Sequence, residues 1–257
     1  MTAWLDGEFV ATTALPKARR DVASPFETMG ASGGELPLWE HHLARLAEAA
    51  RRLGVSLQPT PRWRGVATEL LLQNGHGDDV LRLCLLRAAG GDHVVFETRA
   101  RGPVGRVLLV PTVVERATEL PPGDLKAFPR TFYDAVRQQA QDAGADDGLV
   151  VGGDGDVLET AIANLWLRLD GTWITPPLDG RVLPGIARGL LLERARAAGV
   201  PVAEARCSLG DLHRAQALAV SNAVHGPRPA QLLDGPAAAV EIVDTELGAL
   251  WRAATTG

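Results

Sequence analysis

The stretch from 146 to 188 constrains the fold more than any other part of this sequence. Short apolar segments alternate there with glycine turns, which is the pattern of antiparallel strands joined by tight connections. Four strands are predicted, over 148–152, 157–160, 164–169 and 172–175. The second of them carries Glu159 among apolar neighbours, so its carboxylate is predicted to lie in an apolar setting.

A helix is predicted to follow over 186–198, because Pro184 and Gly185 open it and Gly199 ends it. The N-terminus of a helix offers unpaired N–H groups to an anion such as phosphate. Upstream, Lys126 follows a Pro-Pro-Gly-Asp-Leu segment and is one of only two lysines in the chain. An amine, a carboxylate and a helix N-terminus able to hold phosphate are the groups that a pyridoxal-phosphate site requires.

The remaining pattern predicts an α+β protein of two domains. The N-terminal part contains a hairpin around Asp6 and Gly7, followed by a second hairpin, two helices and two strands. The predicted ranges of these later elements are 25–29 with 35–38, 40–53, 62–74, 80–87 and 94–99. A linker at 101–103 separates a smaller domain, 1–102, from a larger one, 103–257. The larger domain adds strands at 107–114, 202–205 and 217–221 and helices at 131–143 and 209–215.

Composition excludes several classes of function. The formal net charge is −5 and the basic residues are dispersed, which argues against a nucleic-acid partner. Cys84, Cys207 and the six histidines lack the spacing of a metal site. The N-terminus has no signal-peptide pattern, and the longest apolar run, 107–114, is too short to cross a bilayer. We therefore expect a cytoplasmic protein that acts on a small molecule, without metal, nucleic acid or membrane.

Seven short motifs, within a region from 4 to 229, occur in a fixed order. They are Phe26-Glu-Thr-Met29, Glu40-His-His-Leu-Ala-Arg-Leu46, Leu125-Lys-Ala-Phe-Pro-Arg130, Glu159-Thr-Ala-Ile-Ala-Asn164, Thr175-Pro-Pro-Leu178, Leu183-Pro-Gly-Ile-Ala-Arg188 and Ser221-Asn222. Together they resemble the class IV aminotransferase family. The resemblance implies the two-domain α+β architecture of fold type IV pyridoxal-phosphate enzymes, similar to D-amino-acid aminotransferase. It also implies pyridoxal 5'-phosphate (PLP) as cofactor and a homodimer.

The resemblance assigns the central chemistry to two residues and a supporting amide. Lys126 would bind the cofactor aldehyde covalently and then act as the base; from composition alone it could equally be a solvated loop lysine. Glu159 would keep the cofactor's ring nitrogen protonated, so that the ring can accept electrons, whereas most glutamates face water. Asn164 would support Glu159 or order a turn.

The resemblance also assigns a phosphate site. Arg45, in the pattern His-x-x-Arg-Leu, would bind the phosphate through its guanidinium; without the resemblance it would be a surface arginine of a helix. The remaining residues assigned to the cofactor are Gly185, Ile186, Ala187 and Asn222. Ala187 carries no hydroxyl, so the phosphate would depend more on backbone amides and on Arg45.

The substrate contacts are less determined. Thr28 would lie beside the cofactor and relay protons or place the substrate, although threonine is common in strands. Three arginines are unranked candidates for a substrate carboxylate, namely Arg99, Arg130 and Arg188. The side chains interpreted as structural are His41, His42, His93 and Tyr133.

Within the family, the chain most resembles aminodeoxychorismate lyase, which converts 4-amino-4-deoxychorismate to 4-aminobenzoate and pyruvate on the route to folate. The compact length, an arginine four residues after Lys126 and Gly-Ile-Ala-Arg at 185–188 favour this interpretation. A branched-chain or D-amino-acid aminotransferase would share the cofactor residues, and a catalytically silent binding homologue would keep only the fold. Two departures affect the substrate pocket: the segment 21–25 replaces a Gly-Asp-Gly turn, and Gly30 replaces an arginine.

Overall fold

The computed structural model describes residues 1–114, 116, 121–235 and 239–255, which divide into two compact units. The first unit comprises Met1–Pro103 and Leu125–Pro129, and the second comprises the described residues of Val104–Asp124 and Arg130–Gly257. The sequence places Lys126 in the second domain, whereas its segment belongs to the first unit. The reason is strand pairing, since 127 and 128 pair with residues of the strand Ser24–Gly30.

Strands and helices are spread over both units. The strands, in chain order, are β1 Thr2–Leu5, β2 Glu8–Ala11, β3 Ser24–Gly30, β4 Val80–Ala88, β5 Gly91–Arg99, β6 Val107–Thr112, β7 Ala127–Phe128, β8 Asp147–Val151, β9 Asp156–Thr160, β10 Asn164–Leu169, β11 Thr172–Thr175, β12 Val202–Glu204, β13 Cys207–Ser208, β14 Ala217–Asn222 and β15 Gly226–Leu232. The helices are α1 Trp39–Leu53, α2 Trp63–Gln73, α3 Thr131–Asp142, α4 Ile186–Ala197, α5 Leu209–Arg214, α6 Val240–Thr245 and α7 Leu247–Thr255.

An antiparallel sheet with the strand order β2-β1-β5-β4-β3-β7 organises the first unit. The predicted first hairpin is confirmed, because Asp6 and Gly7 both have positive φ, 49° and 122°, as its two-residue connection requires. The predicted helix α1 is also confirmed, and it ends at Gly54 in the left-handed conformation.

Alternation along the strands gives this sheet two different faces. One face packs against α1 and α2 through a buried core that includes Met29, Leu83 and Phe96, and the Phe96 ring meets Trp63 edge-on at 5.6 Å. The other face carries Phe26 in a smaller apolar cluster. Successive residues of β3 therefore point to opposite faces of the sheet and contact different apolar clusters.

The prediction of a second hairpin is wrong. Glu35 forms only an isolated bridge to Ser32, and the residues after it lead through a turn into α1. β3 pairs with β4 on one side and with β7 on the other, so both of its edges are already occupied. These partners come much later in the chain, and local spacing of apolar residues cannot identify them.

The second unit contains a larger sheet with the order β12-β11-β10-β14-β15-β6-β8-β9-β13. β9 also pairs with β10 through Glu159 and Asn164, so the sheet closes on itself at these two residues. The four antiparallel strands predicted from the glycine turns are confirmed as β8 to β11. The sequence does not predict β15, because Pro227 and Pro229 favour a loop. In the structure, β15 pairs antiparallel with β14 and parallel with β6.

The helices of the second unit cover this sheet. α4 buries Leu191 and Leu192 against Trp166 and Trp173, in a core that α6 and α7 complete. Over the described ranges, no helix combines the length and the apolar character needed to cross a bilayer.

Candidate active site

Lys126 directly precedes β7, and the pairing of β7 with β3 fixes its position. Its backbone oxygen accepts a hydrogen bond from the N–H of Phe26 at 3.0 Å. Its Nζ lies 4.8 Å from the centre of the Phe26 ring, which stacks on Phe128 at 4.3 Å. The half-buried amine is therefore held against an aromatic pair.

Arg82 lies over the same aromatic pair. Its guanidinium carbon is 5.6 Å from the centre of the Phe26 ring and 5.4 Å from that of Phe128. Thr28 pairs with Arg82 across the two strands and lies two residues after Phe26 on β3. Because side chains alternate along a strand, Thr28, Phe26 and Arg82 share one face of the sheet. Arg82 has no signal of its own in the sequence, because only the pairing of β3 with β4 brings it beside Phe26.

Glu27 points to the opposite face of β3, toward α1. Its carboxylate accepts hydrogen bonds from Arg45 Nε at 2.7 Å, from Arg45 Nη2 at 2.6 Å and from His42 Nδ1 at 2.7 Å. Burial alone would raise the pKa of Glu27, but the charge of Arg45 and the hydrogen bonds from Arg45 and His42 together lower the pKa to about 2. Glu27 is therefore ionised at neutral pH and holds the Arg45 guanidinium in one orientation.

His42 completes this network as a neutral ring. Burial lowers the pKa of His42; Glu27 opposes this effect, whereas the positive charges of Arg45 and Lys126 add to it. Because the Glu27 carboxylate can only accept, we assign the proton to Nδ1. Nε2 is then a buried acceptor without a hydrogen-bond partner among the described residues.

Glu159 is a buried carboxylate of the second unit, with 4% of its surface exposed. The hydroxyl of Tyr133 donates to Oε1 at 2.8 Å. Asn164 Nδ2 and the backbone N–H of Leu183 donate to Oε2 at 3.3 Å and 3.1 Å. Three donors from α3, β10 and the segment before α4 thus surround the carboxylate.

Asn164 connects Glu159 to the start of α4. Its Nδ2 also donates to the Leu183 oxygen at 2.9 Å, and a Cβ added to Gly185 would lie 1.8 Å from its Oδ1. Only glycine leaves room for this approach. Gly185 precedes α4, which has neither a side-chain cap nor an acidic residue in its first turn. The N–H groups of this turn have no intrahelical acceptors, and they suit an anion.

Two of the three arginines that the sequence suggests for binding a substrate carboxylate lie in different units. Arg130 belongs to the second unit, where its Nη2 donates to the Ala161 oxygen at 2.7 Å and its guanidinium lies 5.3 Å from the Tyr133 ring centre. Arg99 belongs to the first unit, where it is exposed at the end of β5. The contacts of Arg130 favour a role in holding β9 and α3 together.

The third candidate, Arg188, is 2% exposed. Its Nη2 donates to the Pro176 oxygen at 2.8 Å and to Glu204 Oε2 at 2.7 Å. Asn222 orders the turn between β14 and β15, since its Oδ1 accepts the backbone N–H groups two and three residues later. Both side chains therefore have structural contacts of their own.

The structure thus brings the assigned residues together in three groups, two in the first unit and one in the second. In the first unit, the clustered residues are Lys126 with Phe26, and Arg45 with Glu27 and His42. In the second unit, they are Glu159, Asn164 and Gly185. Sequence reasoning assigned no role to Glu27, Arg82 and Leu183, and it interpreted Tyr133 as structural. Glu27 stands inside the Phe-Glu-Thr motif, so the motif itself could have indicated it. In the described ranges, no group of three or more His, Cys, Asp or Glu side chains could hold a metal ion.

Comparison with known proteins identifies relatives over nearly the whole chain. A bifunctional aminodeoxychorismate lyase / D-amino acid transaminase of Mycobacterium tuberculosis is 27% identical over 266 residues, which cover 91% of this chain and 92% of the relative. The structure of branched-chain aminotransferase from Thermoproteus uzoniensis with norvaline has a TM-score of 0.81 at 20% identity, covering 100% of this chain and 95% of the other. The PLP-bound form of a hypothetical aminotransferase from Mycobacterium tuberculosis has a TM-score of 0.79 at 24% identity, covering 99% of each chain.

The two structures are less than 25% identical to this chain, so they show a shared fold, the α+β architecture of fold type IV enzymes. The sequence model of the amino-transferase class IV family matches residues 24–233, which is most of the chain and includes every motif quoted above. The chain belongs to the amino-transferase class IV family.

Proposed function

We propose that this protein is an aminodeoxychorismate lyase that converts 4-amino-4-deoxychorismate to 4-aminobenzoate and pyruvate. Class IV aminotransferases are PLP-dependent enzymes, and one structural relative contains PLP. The observation that carries the PLP dependence in this proposal is the buried carboxylate of Glu159, which Asn164 links to the uncapped N-terminus of α4. One unit thus offers a partner for a ring nitrogen together with a partner for a phosphate.

The described residues fit PLP by the chemistry of their donors and acceptors. A buried carboxylate at Glu159 suits a protonated ring nitrogen. The first turn of α4 suits a phosphate, and Gly185 lets Asn164 reach the start of that turn. Arg45, in the first unit, is the arginine that the family resemblance assigns to phosphate.

Each residue would have a distinct task in the reaction. When bound, PLP supplies an electron sink for the charge that develops on the substrate carbon bearing the nitrogen. Lys126 would hold the cofactor covalently and, after the substrate replaces it, remove the proton from that carbon through Nζ. Glu159 would keep a proton on the ring nitrogen. Lys126 could then return its proton to the enolpyruvyl group as this group leaves from the neighbouring carbon.

The lyase reaction differs from transamination in what it leaves behind. Loss of the enolpyruvyl group makes the substrate ring aromatic, so no second keto acid is needed. The sequence features that favour the lyase are the Arg130 position relative to Lys126 and Ala187 at the start of α4. The bifunctional relative supports a lyase and equally supports a D-amino-acid aminotransferase as the alternative.

The side-chain contacts of the arginines distinguish those that could bind a substrate carboxylate. Arg130 and Arg188 bind backbone oxygens or Glu204 within the second unit. Arg82 lies beside the aromatic pair that contacts Lys126, and strand alternation places Arg99 on the same sheet face. We therefore propose Arg82 and Arg99 as the residues that bind substrate carboxylates.

The deciding experiment incubates the PLP-loaded protein with aminodeoxychorismate and no keto acid. We expect 4-aminobenzoate and pyruvate in equal amounts, because the cofactor returns unchanged after each cycle. A parallel reaction contains D- or branched-chain amino acids with 2-oxoglutarate. Glutamate formed there at a rate matching or exceeding that of 4-aminobenzoate would replace the lyase with the aminotransferase.

Two lysine variants complete this experiment. Lys126→Ala should abolish both the visible absorbance of the bound cofactor and the reaction. Lys17→Ala is the matched control, since Lys17 is the other lysine and is exposed. A wild-type protein that shows no cofactor absorbance after loading with PLP would instead support a catalytically silent binding homologue.

A further inference from the structure

Tyr133, Asn164 and Leu183 each donate a hydrogen bond to Glu159, and among these the bond from Tyr133 is the shortest. Its hydroxyl donates to Oε1 at 2.8 Å, whereas the amide of Asn164 and the N–H of Leu183 both donate to Oε2. The two oxygens of the carboxylate are therefore bound from different directions. This arrangement fixes the rotation of the carboxylate plane, which two donors on a single oxygen would not fix.

The position of Tyr133 is itself determined by its surroundings. Tyr133 lies in the first turn of α3, and its ring meets Phe132 edge-on at 5.1 Å. The guanidinium carbons of Arg130 and Arg116 lie 5.3 Å and 5.4 Å from its ring centre. A ring between two cations and a second ring has little freedom to turn, so its hydroxyl stays directed at Glu159.

The phenol keeps its proton in this place. Burial raises the pKa of Tyr133, and the negative charge of Glu159 raises the pKa further. A protonated phenol can donate to a carboxylate, and such a bond favours the ionised form of the acid. Tyr133 thus acts on Glu159 as a donor across the neutral pH range.

We propose that Tyr133 is the positioning residue that orients Glu159 and keeps it ionised for the ring nitrogen of PLP. This inference rests on the proposed role of Glu159 in the cofactor site. An ionised, correctly rotated carboxylate keeps the ring nitrogen protonated. Loss of the phenol hydroxyl should therefore weaken PLP binding and lower the protonation of the ring nitrogen, while the fold is retained.

The first test compares Tyr133→Phe with Thr112→Val in the full chain. Thr112 is a matched control, because its buried hydroxyl also makes one 2.8 Å hydrogen bond, to the Leu149 oxygen. PLP affinity is measured by quenching of tryptophan fluorescence, and ring protonation by the ¹⁵N signal of ring-labelled PLP. We expect Tyr133→Phe to weaken binding about tenfold and to shift the ¹⁵N signal toward the unprotonated form. The inference is overturned if the two variants behave alike.

A double-mutant cycle with Glu159→Gln separates positioning from packing. Once the carboxylate is gone, Tyr133→Phe should cause no further loss of PLP affinity. Losses that simply add would show that Tyr133 acts on the site without Glu159, and they would refute the inference.

A third measurement uses the fact that Tyr133 is the only tyrosine of the chain. Protein labelled with ¹³C-tyrosine gives one phenol signal, which should change in Glu159→Gln, with the phenol ionising at lower pH because the nearby negative charge is lost. An identical signal and titration in both proteins would refute the contact, even if Tyr133→Phe does not fold. A wild-type chain that binds no PLP would overturn the proposed function, whereas the tyrosine signal would still test the contact.

Discussion

Glu27→Gln tests whether the ion-pair network behind Arg45 stabilises the first unit. The Glu27 side chain is 1% exposed and that of Arg45 is 15% exposed, so solvent screens their interaction weakly. The pKa of Glu27 falls from 4.5 to about 2 in the folded protein. This difference of about 2.5 units corresponds to about 3 kcal/mol of folding free energy. We expect Glu27→Gln to reduce the free energy of unfolding at neutral pH by about that amount.

The effect has a defined dependence on pH. The folded pKa of Glu27 lies below the unfolded value, so the unfolded chain binds more protons between the two values. The stabilisation is therefore fully present above pH 4.5 and is lost as the pH falls toward about 2. Glu27→Gln lacks this titration. Urea unfolding at neutral pH and at about pH 3 should show the difference between wild type and variant shrinking.

Glu48→Gln is the matched control, because it makes the same chemical change on α1. Glu48 pairs with Arg51, but their side chains are 53% and 71% exposed, so the variant should change stability little. The reasoning is refuted if Glu27→Gln and Glu48→Gln are equally stable. It is also refuted if the loss in Glu27→Gln stays constant over the acid range.

Two further predictions concern the second unit and the assembly. Gly185→Ala should force Asn164 away from Glu159, so that both PLP affinity and the free energy of unfolding fall, the latter by about 1–3 kcal/mol. Gly189→Ala is the control, because Gly189 lies in the same helix with open space around it and its substitution should lower neither quantity. Equal effects of the two substitutions would contradict this prediction. We also propose that the enzyme is a homodimer, as the family resemblance implies, and analytical ultracentrifugation showing an active monomer at assay concentrations would exclude this.

Local chemistry explains which parts of the fold the sequence predicts. The Asp6-Gly7 turn, the left-handed end of α1 at Gly54 and the strands between glycine turns all follow from residues close together in the chain. β15 is not predicted because Pro227 and Pro229 favour a loop. The second hairpin is wrong because the strand partners of β3 lie far along the chain. The same limit applies to the side chains. Asn164 and Glu159 share one motif, whereas Tyr133 reaches Glu159 from another element.

The pairing of Tyr133 with Glu159 has no signature within a single segment, because one side chain belongs to α3 and the other to β9. Glu27 and Arg45 are likewise separated by the turn that leads into α1. Sequence motifs predict the side chains that bind a cofactor, because each cofactor atom requires a particular kind of group, such as an amine or a carboxylate. They do not predict the side chains that hold these groups in place, since several residue types can donate to a carboxylate.

The proposed cofactor residues alone do not decide between the lyase and an aminotransferase, because the tasks proposed for Lys126 and Glu159 are the same in both reactions. The difference must come from the groups that bind the substrate. At the end of β3, Gly30 stands where the family resemblance would lead us to expect an arginine. Gly30 pairs with Val80, and Val80 pairs with Arg99, so these three residues form one row across the sheet. Because Gly30 has no side chain and Val80 is apolar, Arg99 is the charged member of that row. We propose that this row, with Arg99 as its charge, is where binding of a substrate carboxylate distinguishes the two reactions.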